Sequence, residues 1–260
     1  MSSTFAIRFG ADRSALGVVV PTWQDLASAV RQLELGGPRP VVVVVGGADL
    51  ADRDLVPDLS PPFDVAVVPA MTTVGAIGVD GGTDSGVMGV FGTALAGSGR
   101  PYALVGVVAE GTVRLPTEQP VSTRAPLEPH HSHFVLVPGG SWGDESRWLA
   151  RTASVLAAGA PSLTLVANGG DVTYDDVEHS LAEGRAVVAL RGSGRTADDL
   201  AAAVSGRRAS VRAVGLADSG LVLAQDVADH AGLATLLVAR LTGGEAGPEV
   251  GGRAREGNAG

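Results

Sequence analysis

Apolar runs that end in glycine turns and restart as helical patterns recur along this chain, and that alternation narrows the folds open to it. Residues 41–45 are five valines, the pattern of a strand covered on both faces, and they run into Gly46-Gly47-Ala48. The run 163–166 leads into Asn168-Gly169-Gly170 and a helix over 173–182; the run 186–190 leads into Gly192-Ser193-Gly194-Arg195 and a helix ending near 204. Further strands are expected at 102–108 and 133–137, the second followed by a helix over 144–157. The order predicts an α/β fold: one domain with a doubly wound, mainly parallel sheet, helices on both faces and right-handed crossovers. Ligands of such sheets sit beyond the carboxyl ends of the strands where the strand order reverses, so turns sharing that edge converge on one place.

The flanks are less regular. Short strands at 4–8 and 17–20 precede a helix from Thr22, as N-cap, to about residue 35. Asp64-Val65-Ala66-Val67-Val68-Pro69 reads either as another apolar strand or as an extended segment before a loop carrying Ala76-Ile77-Gly78. The proline-bearing loop 109–129 is long enough to serve as a lid. A short strand at 221–224 and an apolar helix at 227–241 close a domain over 1–242; residues 243–260 have almost nothing to bury and predict a disordered tail.

With 260 residues, 45% of them apolar, the chain can bury a sizeable core. It has no cysteine, which rules out disulfides, thiolate metal sites and a thiol nucleophile. Its 19 basic residues are all arginine and its net charge is −9, so a broad nucleic-acid-binding face is not expected, nor lysine Schiff-base chemistry. No apolar run is long enough to span a bilayer, and the start lacks a signal pattern; the expectation is a soluble, cytoplasmic protein.

The most ligand-like stretch is Gly81-Gly82-Thr83-Asp84-Ser85-Gly86-Val87-Met88, a glycine-dense turn running into a helix that ends near residue 96. Glycine allows close approach of the backbone, and a helix start offers N–H groups to an anion. Thr83 and Ser85 either donate to a phosphate or cap the helix. Arg195 stands at a predicted helix start, an unfavourable place for a cation unless an anion is present. Asp198 caps that helix or holds its loop. His130, His131 and His133 do not make a metal set: Glu128 is the only carboxylate near them in sequence, and His131 shares a face with His133 only if the strand begins that early. They are read as orienting the long loop, and no metal or cofactor is expected.

Six motifs in order resemble the SLOG superfamily, in its prokaryotic branch related to the N-terminal cytosolic (LSDAT) region of melastatin-type TRP channels. They are Gly46-Gly47-Ala48, the turn 81–88, Leu127-Glu128-Pro129-His130-His131-Ser132-His133-Phe134, Trp142-Gly143-Asp144-Glu145, Asn168-Gly169-Gly170 and Gly192-Ser193-Gly194-Arg195-Thr196-Ala197-Asp198. The resemblance implies a Rossmann-like sheet binding a nucleotide-derived small molecule, ADP-ribose or another NAD-derived nucleotide, in a sensing role. It implies phosphate contacts at Gly46, Gly47, Gly81, Gly82, Gly192, Gly194 and Arg195, an aromatic position at Trp142, and a pocket shared with Ala48, Thr83, Ser85, Gly86, Val87, Met88, Glu145, Gly169, Gly170, Ser193 and Asp198. Leu149 stands where the channel relatives place an arginine, leaving Arg147 or Arg151 to substitute. A sensor of this kind would signal through self-association or a separate effector protein.

Pro138-Gly139-Gly140, Gly143 and Glu145 also resemble the signature of the LOG enzymes, which release the base from nucleoside monophosphates. Here Trp142 interrupts the spacing, Asp144 replaces a threonine, and the glutamate falls at another interval. In that reading Glu145 acts as a general base or stabilises an oxocarbenium-like centre.

Overall fold

The computed structural model describes residues 4–47, 59–121 and 123–244. Its strands are β1 (Thr4–Phe9), β2 (Arg13–Val19), β3 (Val41–Gly46), β4 (Ile77–Asp80), β5 (Leu104–Ala109), β6 (Val113–Arg114), β7 (Ala125–Pro126), β8 (His133–Val137), β9 (Ser162–Ala167), β10 (Ala186–Arg191) and β11 (Val222–Asp226). Its helices are α1 (Leu26–Arg31), α2 (Ser60–Pro62), α3 (Val68–Val74), α4 (Gly86–Gly97), α5 (Ser146–Ala157), α6 (Asp171–Ala182), α7 (Arg195–Val204), α8 (Val211–Ala217) and α9 (His230–Leu241).

Strand β3 lies deep in the sheet because valine satisfies both of its faces. Val41, Val43 and Val45 enter a core shared with α1, α5, α6, α7 and α8, while Val42 and Val44 enter one shared with α3, α4 and α9. The main sheet runs β1-β2-β8-β5-β4-β3-β9-β10-β11 and is parallel except where β1 pairs with β2. From β3 the chain steps to β4, β5 and β8, then returns through α5 to β9 on the other side of β3 and steps on to β10 and β11. The strand order therefore reverses between β3 and β9, with α3 and α6 leaving on opposite faces. This is the doubly wound, mainly parallel, single-domain α/β fold that the alternation predicts.

Two stretches differ from the sequence reading. Residues 64–69 are helical: α2 continues through a π-helical turn, Phe63–Val67, into α3, with the Val68 N–H reaching back to the Phe63 carbonyl. Phe63, Ala66, Val67, Ala70 and Met71 are buried while Asp64, Val65 and Pro69 are exposed, a helical period that a valine-rich composition hides. Ala76-Ile77-Gly78, carried in a loop under the second of those readings, instead lead into β4, which lies between β3 and β5; Gly78 admits Phe91, whose ring would stand 2.9 Å from a Cβ there.

The helix expected from Thr22 is a 3-10 turn, Trp23–Asp25, followed by the short α1, and α8 lies in a stretch with no assigned element, capped by Ser210 accepting from the Ala213 N–H. The loop after β5 is partly ordered by β6 pairing with β7. No helix among the described residues is long and apolar enough to cross a membrane. Ala48 and the expected tail from 245 onward lie outside the described residues.

Candidate functional site

The parallel strands all point their carboxyl ends to one edge, and the glycine turns line up along it. Their hub is Asn168, at the end of β9 where the strand order reverses. Its backbone is left-handed (φ 58), a conformation asparagine tolerates better than most residues, and its Oδ1 accepts from the Gly169 N–H at 2.6 Å. Its N–H donates to Ser193 Oγ (2.9 Å) and its carbonyl accepts from Ala197 N (3.1 Å), so the turns after β9 and β10 are tied together. The side chain also closes on the turn after β3, since a Cβ on Gly47 would stand 3.3 Å from Oδ1. Gly47 O accepts in turn from the Val87 N–H at the start of α4 (3.1 Å).

Two further links complete the line. Gly143 (φ 96) adjoins α6, a Cβ there standing 3.4 Å from Val172 Cγ1, and the Arg195 guanidinium passes 3.4 Å from the Cβ position of Gly170. Arg195 is itself left-handed (φ 47), the first residue of α7, and exposed. Trp142 is 51% exposed, which for so large an apolar ring marks a surface open to stacking.

The structure sorts the candidate residues. Gly46, Gly82, Thr83 and Ser193 serve the interior. A Cβ on Gly46 would stand 1.9 Å from Ala167 O, and one on Gly82 would stand 2.8 Å from Val108 and 2.9 Å from Gly106 Cα. Thr83 is buried and paired with Ser85 Oγ (3.0 Å); Ser193 Oγ is spent between Asn168 N and Leu190 O. Val87 and Met88 bury their side chains, so only their backbone can face a ligand. Gly169 is buried too, a Cβ there standing 2.6 Å from Thr173 Oγ1, whereas Gly47, Gly81, Ser85, Gly86, Gly170, Gly192, Gly194, Arg195 and Trp142 stay at the edge. Asp198 holds its loop, accepting from the Gly192 N–H at 2.5 Å.

The turn after β8 is self-contained. Asp144 accepts from the N–H groups of Gly140 (2.9 Å) and Ser141 (3.0 Å), which hold its carboxyl below the usual range. Glu145 is the N-cap of α5 and accepts from the Gly143 N–H; burial raises its carboxyl despite that bond. Buried Asp176 on α6 is pushed up to about 7, chiefly by burial, with the charges of Glu145 and Asp175 adding to the rise. Leu149 is in the core; Arg147 lies over the rings of Trp23 and Trp148 (5.2 Å to each), and Arg151 pairs with Glu183 (3.2 Å).

Beneath the 81–88 turn lies a buried polar group that sequence spacing does not reveal. Asp80 and Glu128 flank His131: Nε2 is 2.7 Å from Asp80 Oδ1 and Nδ1 is 2.8 Å from Glu128 Oε2. Glu128 also accepts from His130 N (2.7 Å) and faces His130 Nδ1 (2.5 Å). His133 stands apart at the start of β8 and makes its contact with Ser132 Oγ. Asp80 was legible only as an acid next to a glycine pair; Asn168, as the polar member of its own motif.

These features define a class: a doubly wound Rossmann-like protein whose glycine turns and helix starts gather at the strand-order reversal. The particular family follows from comparison. The family model described as "SLOG in TRPM, prokaryote" matches residues 39–235, and the chain belongs to that family of nucleotide-related Rossmann-like proteins. The chain is 28% identical over 198 residues to a transient receptor potential cation channel subfamily M member-like 2 of Nematostella vectensis, spanning 62% of this chain and only 13% of that relative. The X-ray structure of TM1055, a structural-genomics target, has a similar fold, with a TM-score of 0.50 at 20% identity, covering 76% of this chain and 99% of that one.

Proposed function

We propose that the protein binds and senses a nucleotide-derived small molecule, ADP-ribose or a related NAD-derived nucleotide, at the carboxyl edge of its sheet. The observation that carries this is the meeting of the turns after β3, β9 and β10 on Asn168, with the starts of α4, α6 and α7 gathered around it. Helix starts concentrate backbone N–H groups and favour negative charge, which suits a diphosphate. Arg195 supplies a guanidinium fork beside the start of α6, and exposed Trp142 supplies a face for a base. The ligand needs no metal or cofactor in this reading. A cytoplasmic setting, where such nucleotides are made, fits it, and the bound state would be passed on by self-association or to a separate effector protein.

Calorimetric titration with ADP-ribose, cyclic ADP-ribose, NAD and AMP tests the reading. Binding of at least one below millimolar, weakened by Arg195→Gln and by Trp142→Ala, is expected; no binding of any of them sinks it.

A second reading, cleavage of a nucleotide N-glycosidic bond, is favoured by one observation: burial raises the carboxyl of Glu145, as suits a general acid or base, beside Trp142 on the same edge. Chromatography of nucleotides incubated with pure protein should then reveal free base, and Glu145→Gln should abolish its release.

A further inference from the structure

The 81–88 turn is fastened from below by the long loop. Asp80 Oδ1 accepts from the Gly82 N–H (2.7 Å), fixing the left-handed glycine (φ 66) from which the turn departs. The same Oδ1 meets His131 Nε2, and His131 Nδ1 meets Glu128. Backbone bonds run beside this chain of side chains: Glu128 N donates to Gly82 O (3.0 Å) and Asp84 N donates to Pro126 O (2.9 Å). Helix α4 leaves room for it, since Gly92 lies against the Glu128 carboxylate, and Phe134 of β8 stacks on the His131 ring at 5.1 Å. Asp80 Oδ2 is buried with no partner among the described residues, so Asp80 relies on Oδ1 for its compensation.

Both ring nitrogens of His131 face carboxylate oxygens. Only the doubly protonated ring donates at both ends; a neutral ring would set a lone pair against one carboxylate.

We propose that Asp80, His131 and Glu128 form a protonation-dependent latch that positions the 81–88 turn, making order in the 123–131 segment and order in that turn a single event. For the ligand this rests on the reading of the edge as its site: a loosened latch lowers affinity without touching a contacting residue.

The groups around the ring are Asp80 from β4, Glu128 and His130 from the loop, Phe134 from β8, and Tyr102, whose hydroxyl donates to His130 O (2.8 Å). Burial opposes the charged ring, but Asp80 and then Glu128 outweigh it and push His131 up to about 9. Burial likewise opposes the Glu128 carboxylate, and its bonds to His131 and His130 more than offset this, holding it below the usual range. The latch is therefore closed at neutral pH and opens as pH rises through about 9.

Hydrogen exchange of the free full-length chain, corrected for intrinsic rates, decides the matter. In wild type, peptides covering 80–88 and 123–131 should lose protection together, roughly tenfold, as pH is raised from 8 to 10, while the β9 to β11 region stays protected. In His131→Gln both segments should exchange fast at every pH and the pH step should vanish; Glu128→Gln serves where that variant does not fold. If one segment loosens without the other, or neither responds to pH or substitution, the latch is overturned. Titration of wild type with ADP-ribose is read separately. Absence of binding, with both segments loosening together, removes the ligand assignment and leaves the latch standing.

Discussion

Replacing Gly92 by alanine should destabilise the protein, although the position is in the middle of α4, where alanine is ordinarily the better residue by about 1 kcal/mol. A Cβ there would stand 2.4 Å from Glu128 Oε2, 2.5 Å from its Cδ and 2.8 Å from Oε1. Relief to an ordinary contact near 3.4 Å requires the carboxylate to retreat by about 1 Å. A carboxylate at the end of a flexible side chain normally moves freely, but this one is buried and bonded on both oxygens, to His130 N at 2.7 Å and His131 Nδ1 at 2.8 Å on Oε2 and to His130 Nδ1 at 2.5 Å on Oε1. Losing the two bonds on Oε2, at about 1.5 kcal/mol or more each for charge-assisted pairs, outweighs the helix gain and leaves a net loss of about 2 kcal/mol. Urea denaturation at pH 7 measures it. Gly89→Ala in the same helix is the control: its Cβ meets only Asp84 Oδ1 at 3.8 Å, so it should stabilise by about 0.5–1 kcal/mol. In a Glu128→Ala background, Gly92→Ala should no longer destabilise. If Gly92→Ala matches Gly89→Ala in the wild-type background, the packed, bonded carboxylate is not what occupies that space and the reasoning fails.

Other substitutions probe the same edge and its surroundings. Gly46→Ala should exceed about 4 kcal/mol of destabilisation and send the chain to the insoluble fraction, because the clash at 1.9 Å is with the Ala167 backbone and neither strand can yield. Asp176 has its folded pKa raised to about 7 from 3.8, so its contribution to stability is present at low pH and lost as pH rises through about 7; Asp176→Asn should raise stability at pH 8 by about 2 kcal/mol and change little at pH 4. Equal effects at both pH values would remove the buried-carboxylate argument. Arg195→Gly relieves a left-handed arginine and should weaken nucleotide binding; unchanged binding would mean that the guanidinium does not meet the ligand.

What the sequence conveyed divides along physical lines. Strands β3, β9 and β10 were legible because a strand covered on both faces must be continuously apolar, and β-branched residues say so directly. The helix through residues 60–74 was not, since its buried positions follow a helical period carried by valines and interrupted by prolines, residues that argue locally for extended chain. Strand β4 is four residues, Ile77–Asp80, with a glycine and an acid among them, and its identity comes from the strands on either side. The turns of the candidate site were visible as glycine clusters, whereas the pairing of Asp80 with His131, 51 positions apart, is a product of the fold alone.

The glycines at this edge also resist a single explanation. Close approach to a phosphate and close approach to another backbone demand the same absent Cβ, so a glycine count does not measure a ligand site. Gly46 and Gly82 are needed by neighbouring backbone at 1.9 and 2.9 Å, and would be glycine with no ligand at all. Gly81 has only Met88 Cγ near, at 4.0 Å, and Gly170 has only the Arg195 guanidinium, at 3.4 Å. The interior therefore does not dictate glycine at these two positions. Gly81 follows the end of β4 on the way to α4, and Gly170 is the N-cap of α6, two residues past Asn168. Glycines free to serve a ligand are consequently fewer than the motifs contain, and they border the place where the strand order reverses.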